Sequence, residues 1–264
     1  MAFDHILILA LIQGVTEFLP ISSSGHLTLA HAVSDLPAHS ISMEVALHFG
    51  TLIAVMVYFR ADVRRLTIGL LHFPLRRASA ERRDAAHMAA ATVPILLAAA
   101  LLLAAGVLDA LRSAHIVAWA GIVFSLPLYL ADRFGGQSKL LAAMTGRRAF
   151  IMGLAQMLAL IPGASRAGVT LTAARALGFS REAAARYSML MAMPVILCFA
   201  VYGVAELIQE NAWTALGEAA LGAVLAAFFA LVSIDLFLRM TRRLGLGFFV
   251  LYRLALGTAI LLFF

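Results

Sequence analysis

The chain has 264 residues, 63% of them hydrophobic and only 13% charged, with a mean hydropathy of +0.96. Soluble domains carry roughly 25% charged residues, so this composition excludes a soluble enzyme and indicates an integral membrane protein with one compact membrane domain over 1–264. The formal charge of +6 does not point to nucleic acid, because the basic residues stand in short clusters between apolar runs, as in cytoplasmic loops. The single Cys198, in an apolar segment, gives no disulfide or metal signal. No cleavable signal is expected either, since the first charged residues are Asp4 and Glu17 and a basic n-region is missing.

In chain order, the apolar stretch 3–35 is interrupted at Pro20 to Gly25, and the first spanning segment follows at 41–59. Arg60, Arg64, Arg65, Arg76, Arg77, Arg82 and Arg83 come next, over an interfacial segment at 72–86. Spans at 87–106 and 114–131 precede Arg133, Lys139, Arg147 and Arg148. A second interrupted stretch, 149–174, breaks at Pro162 to Gly168. Another interfacial segment, 176–186, carries Arg175, Arg181 and Arg186 at or near it, with a helix cap expected at Ser180. Spans at 187–206, 214–236 and 246–264 complete the chain, with Arg239, Arg242 and Arg243 between the last two and Asp235 placed to pair with Arg239. A bilayer crossing takes about 20 residues, and all four basic clusters fall on one side when these six segments cross.

The interrupted stretches are long enough to enter the membrane and return. Proline lacks an amide hydrogen, and glycine permits a tight turn. Broken helix at membrane depth survives only where protein or a cavity satisfies the freed backbone groups. The expected fold is therefore all-α: six transmembrane helices plus two re-entrant helix-turn-helix elements. Each break follows a glutamine, Gln13 or Gln156, and the halves, about 1–106 and 114–264, read as an inverted repeat whose tips meet in the membrane. Gln13 and Gln156 are 143 residues apart but Pro20 and Pro162 are 142 apart, so aligning both needs a one-residue gap.

Chemistry concentrates at the breaks. Gln13 and Glu17 share a helix face, and a carboxylate there needs a cation, a donor cluster or a bound ion. Ser22, Ser23 and Ser24 can cap the helix that follows, or one can be a nucleophile; His26, three residues beyond Ser23, returns to its face as a base or acid. Arg166 is a lone basic residue in the second stretch, at a predicted helix start after Ser165 and one turn before Thr170. These residues read as a phosphate cradle, because a helix N-terminus is an anion site and guanidinium supplies a planar fork of donors; the alternative is a buried Arg166–Glu17 pair joining the halves. Glu44, on a face with His48, either hydrogen-bonds the first break or adds a ligand to a divalent ion beside Glu17.

At these residues the chain resembles the bacterial undecaprenyl-pyrophosphate phosphatase family, known also through bacitracin resistance. Gln13-Gly-Val-Thr-Glu17 with Ser22-Ser-Ser-Gly-His26 carries the first motif, and Pro162-Gly-Ala-Ser-Arg-Ala-Gly-Val-Thr170 the second. The resemblance implies a multi-pass enzyme of the bacterial inner membrane, its site open toward the periplasm, that hydrolyses a C55 isoprenoid pyrophosphate lipid to the monophosphate carrier and phosphate with a divalent cation, Mg²⁺ or Ca²⁺. It also implies catalytic roles for Glu17, Ser23, His26 and Arg166, with Gln13, Ser22, Ser24, Ser165 and Thr170 around the substrate and Glu17, with or without Glu44, at the metal. Gln13 stands where Glu or Gln occurs in the family, and Ala167 where serine is common; Gln13 is a poor metal ligand, which leaves that role to Glu17. Expected partners are this substrate and membrane lipids, with a homodimer left open and no nucleic acid. The reading of another class is a polyprenyl-phosphate transporter or flippase, since inverted repeats with broken helices are also a transporter design.

Overall fold

The computed structural model describes residues 2–33, 41–107, 109–111, 113–209 and 216–264. Among them the secondary structure is helical: α1 Phe3–Thr16, α2 Ser23–Val33, α3 Ile41–Tyr58, α4 Arg60–Leu71, α5 Ala80–Ala104, α6 Ala114–Val123, α7 Ser125–Phe134, α8 Gly146–Met157, α9 Arg166–Ala176, α10 Arg181–Gln209, α11 Leu216–Arg243 and α12 Gly247–Phe263.

Four helical stretches are long and apolar enough to cross a membrane, namely Ala80–Ala104, Ala114–Phe134, Arg181–Ala205 and Leu216–Arg243. A fifth arises if the bent pair Ser42–Tyr58 and Arg60–Leu71, which turn by 93°, counts as one. The expected span 41–59 is thus α3 up to that bend. The expected span 246–264 is α12, which at 17 residues falls short of the others. Two expected interfacial segments are partly span instead: α5 begins at Ala80 and α10 at Arg181. Their first turns extend because serines cap them, Ser79 accepting from the Arg82 amide at 3.1 Å and Ser180 from the Ala183 amide at 3.2 Å. The stretch 114–131 is divided at Phe124, where Pro127 has no amide to offer the Val123 carbonyl.

Packing shows a reciprocity. α1 lies along α11 as α8 lies along α5, and α2 meets α12 as α9 meets α7. Glycines permit the close approaches: a Cβ on Gly14 would sit 2.7 Å from the Ala226 carbonyl oxygen, and one on Gly153 2.7 Å from that of Ala91. Between these pairs, α3 packs against α10 and α11, with Gly50 so near Ala223 that a Cβ would meet its carbonyl oxygen at 2.1 Å.

All four basic clusters meet at one end. Arg186 pairs with Asp62 at 2.7 Å, Arg242 with Glu182 at 2.5 Å, and Arg181 with Asp132 at 2.8 Å. Asp132 also accepts from Arg175 Nε at 3.1 Å and the Leu246 amide at 3.1 Å. Arg175 is fully buried there; it is an internal tie between α7, α9 and the start of α12 rather than a free loop charge. The minor pair Asp235–Arg239 forms at 2.7 Å.

Candidate active site

Each interrupted stretch is a helix, a break and a helix: α1 and α2 around 17–22, and α8 and α9 around 158–165. The expected breaks run over Pro20 to Gly25 and Pro162 to Gly168; the closing glycines, Gly25 and Gly168, lie inside the following helices, at the third position of each, while Gly163, directly after Pro162, turns as expected. The left-handed positions are taken by serines, Ser22 at φ 70° and Ser165 at φ 66°, together with Gly163 at φ 92°. A non-glycine residue there is strained, and such strain persists where surroundings over-determine it. Here each serine earns a cap: Ser22 Oγ accepts from the Gly25 amide at 3.4 Å and Ser165 Oγ from the Gly168 amide at 3.2 Å. Ser22 and Ser165 are 143 residues apart, as are Gln13 and Gln156, and Gly25 and Gly168. The one-residue irregularity is thus confined to the prolines.

The breaks touch. Ser24 Oγ accepts from the Gly163 amide at 3.1 Å and lies 2.9 Å from Ser22 Oγ. Arg166 Nη2 donates to Glu17 Oε1 at 3.0 Å, so the pair read as the alternative to a phosphate cradle is present. It does not exhaust the arginine, since Arg166 Nη1 is buried without a hydrogen-bond partner, and guanidinium has five donors.

Between the breaks lies a cavity of about 310 Å³ whose walls include Glu17, Ser22, Ser23, Ser24, Ser165 and Arg166 from the breaks, and Val195, Ile196 and Phe199 from α10. Two helix N-termini, those of α2 and α9, open onto it, and their dipoles favour an anion there. Of the three serines, Ser22 and Ser24 are engaged in the contacts above; Ser23, first residue of α2, makes no hydrogen bond among the described residues and lines the cavity.

Other predicted residues stand further back. Gln13, 2% exposed, donates from Nε2 to Glu17 Oε2 at 2.8 Å. Thr170 is buried, its hydroxyl bonded to the Arg166 carbonyl at 2.8 Å and 2.6 Å from Ser188 Oγ. Glu44 does not line the cavity; its carbonyl accepts from His48 Nδ1 at 2.9 Å. His26 is also outside the lining. Its Nδ1 donates to the Ser22 carbonyl at 2.7 Å, and its Nε2 lies 2.6 Å from the Tyr252 hydroxyl. The shared helix face of Ser23 and His26 therefore produces no hydrogen bond between them in this conformation.

Three residues that sequence reading did not nominate complete the site. His48 lines the cavity with Nε2 3.9 Å from Glu17 Oε2, while its Nδ1 donates to the Glu44 carbonyl. Tyr252 holds His26 by its hydroxyl and by ring stacking at 5.5 Å. Arg253, 1% exposed, has no carboxylate partner among the described residues; its guanidinium donates to the carbonyls of Gly121, Gly163 and Pro20 at 3.2, 3.3 and 3.5 Å. One arginine thereby satisfies carbonyls from both breaks, the need that broken membrane helix creates. Gly168 is bare because a Cβ would lie 2.4 Å from Arg253 Nη1. The available signal was an arginine inside an apolar span.

No group of three or more His, Cys, Asp or Glu side chains suited to a metal occurs among the described residues. Glu17 is the carboxylate in the cavity wall, already facing Arg166 and Gln13. With both carboxylate oxygens engaged by donors, this wall does not form a protein cage for a metal, and a hard cation here would take one carboxylate and draw its other ligands from substrate phosphates and water.

The family model described as bacitracin resistance protein BacA matches residues 6–259. The chain is 43% identical to the undecaprenyl-diphosphatase of Maricaulis maris, covering 100% of both chains. It is 39% identical to that of Roseobacter denitrificans, covering 100% of this chain and 99% of the relative, and 42% identical to that of Alcanivorax borkumensis, covering 97% and 96%.

Proposed function

The chain belongs to the bacitracin resistance protein BacA family, and from that membership we propose that it hydrolyses undecaprenyl diphosphate to undecaprenyl phosphate and inorganic phosphate. The observation that carries this reading is the convergence of two helix N-termini, a free Ser23 hydroxyl and the Arg166 guanidinium, whose Nη1 is buried without a partner, around one cavity. The terminal phosphate sits against α2 and α9, and Arg166 with the helix-end amides stabilises the charge that develops on its oxygens. Ser23 attacks phosphorus, the bond to the bridging oxygen breaks, and water then releases phosphate from the serine. Attack by water directly is the rival course.

His26 takes the serine proton in the reading from sequence, which requires it to exchange the Ser22 carbonyl or Tyr252 for Ser23. His48 is a second candidate, favoured by its place in the cavity wall. Paired His26→Gln and His48→Gln enzymes decide between them, since loss of the proton acceptor costs about 10²-fold or more in kcat. Glu17 would hold Mg²⁺ or Ca²⁺ together with the substrate phosphates, and such an ion supplies neutralisation of the pyrophosphate charge when bound; Glu44 lies outside the cavity wall.

The protein lies in the bacterial inner membrane, with the two broken elements re-entrant and related as inverted repeats. The reciprocal packing supports that relation, and it pairs α5 with α11 and α7 with α12, which draws the first half on to α7. The cavity opens toward the periplasm. Val195 is fourteen residues into α10, about 21 Å from its basic end at 1.5 Å per residue, which supports this side. The same duplicated packing is what favours the transporter reading. Phosphate release from undecaprenyl diphosphate by the purified protein, with and without EDTA, tests the proposal: no release under either condition would leave binding and translocation as the better account, and full release in EDTA would remove the ion.

A further inference from the structure

A second cavity, of about 340 Å³, lies at the basic end of the bundle between α4, α5, α10 and the turn at 141–144, and shares no lining residue with the first. Tyr187 on α10 is about 12 Å along the helix axis from Val195 in the other cavity, eight residues at 1.5 Å each.

Its polar groups divide into engaged and idle. Asp62 pairs with Arg186 at 2.7 Å and Asp84 with Arg65 at 2.6 Å, so both carboxylates in the wall already face cations. The side chains of Arg83, exposed at the cavity mouth, and His87, one turn on along α5, make no hydrogen bond or ion pair among the described residues. The Tyr187 hydroxyl, in a residue only 7% exposed, is buried without a hydrogen-bond partner. An unpaired buried hydroxyl is unfavourable and uncommon in folded proteins. Leu66, Leu141 and Leu190 add an apolar part to the lining.

The geometry points to a second anion site that takes a phosphate group, with Arg83, His87 and the Tyr187 hydroxyl as its donors. Donors arriving from two helices suit a tetrahedral anion whose oxygens face several directions better than a planar carboxylate. A free guanidinium beside neutralised ion pairs leaves the cavity net positive, and the buried Tyr187 hydroxyl gains the partner it lacks once its ring turns toward the anion. Two sources share this chemistry, free phosphate and the headgroup of a phosphate lipid whose chain follows the leucine wall. The site is independent of the hydrolytic reading, because nothing in it needs the bond to be cleaved.

Equilibrium dialysis of the full-length protein in detergent tests it, using inorganic phosphate and a short-chain prenyl phosphate as probes and the matching prenyl alcohol as control. In an Arg166→Ala background, which weakens the first site, one saturable phosphate site is expected to remain. Adding Arg83→Ala or Tyr187→Phe weakens it at least tenfold. In the native background these two variants keep hydrolysis within about twofold. Tighter binding of the prenyl phosphate than of phosphate identifies the lipid headgroup as the ligand, and equal binding identifies the free anion. Either supports the site. Absence of saturable binding in the Arg166→Ala protein overturns it, as does binding that ignores both substitutions. Melting curves give a further arm: an idle hydroxyl means that Tyr187→Phe melts no lower than the native protein in phosphate-free buffer and loses the rise that phosphate confers. A variant that melts well below native without phosphate shows a hydroxyl already satisfied, and also overturns the assignment.

Discussion

Ser23 and Arg166 occupy the same place in their elements, the first residue after a left-handed serine, and they face each other across one cavity. Ser23→Ala is expected to reduce turnover by about 10²-fold or more, the scale of a lost catalytic group; near-full turnover would transfer the attack to water. Arg166→Lys keeps the charge but replaces a fork with a point donor, so kcat/KM should fall at least roughly tenfold, about 1.4 kcal/mol. Because Arg166 also pairs with Glu17, melting must be measured beside turnover. A variant with native kinetics ends the phosphate role, whereas equal losses of stability and activity make the arginine a tie. Both residues were legible in the sequence, because a polar group in an apolar stretch next to a break is conspicuous. Arg253 was not, although it is more deeply buried than Arg166, because its partners are carbonyls contributed by three distant segments. His48 was placed on the face of Glu44, but that it and not Glu44 reaches the cavity follows from how α3 packs against α10, through the His48–Phe199 contact at 4.8 Å.

Proline marks where the helices stop, so the existence of both breaks could be read from the chain, and so could the turn at Gly163 after Pro162; the turns at Ser22 and Ser165 could not. Gly25 and Gly168 are the obvious turn residues, yet tertiary packing claims them, Gly168 for Arg253 and Gly25 for Leu256, from which a Cβ would be 3.2 Å. Ser22, and Ser165 beside Gly163, take the left-handed turns, and each serine recovers an amide that would otherwise be orphaned at a helix start. Substitutions at Ser165 separate the two effects. Ser165→Ala keeps a side chain at φ 66° and loses the cap, at a cost of about 1–2 kcal/mol. Ser165→Gly also loses the hydroxyl but is free to adopt that φ, and should cost less than half as much. Thermal melting in detergent ranks the pair. If the alanine variant proves the more stable, the left-handed conformation is not what the position demands.

At the scale of the whole molecule, hydropathy located the apolar segments, while charge alone could not say whether the basic residues were loops or helix ends. The structure places Arg181 in the first turn of a 29-residue helix and Arg242 in the last turn of a 28-residue one, and long arginine side chains reach the interface from such turns. The cross-links Arg186–Asp62, Arg181–Asp132 and Arg242–Glu182 then bind all four basic clusters into one end of the bundle. Because basic residues are retained on the cytoplasmic side, this end should be cytoplasmic, and residues 109–111, between the far ends of α5 and α6, should be outside. The test is cysteine labelling of intact cells with a membrane-impermeant thiol reagent. Cys198, the single native cysteine, is first replaced by serine. Ala78 and Ser138 are exposed at the basic end, and Ala110 at the other; none of the three caps a helix. Ala110→Cys should label in intact cells, while Ala78→Cys and Ser138→Cys should label only after the membrane is opened. Labelling of the latter two from outside would invert the protein and turn the cavity away from the periplasmic side proposed for it.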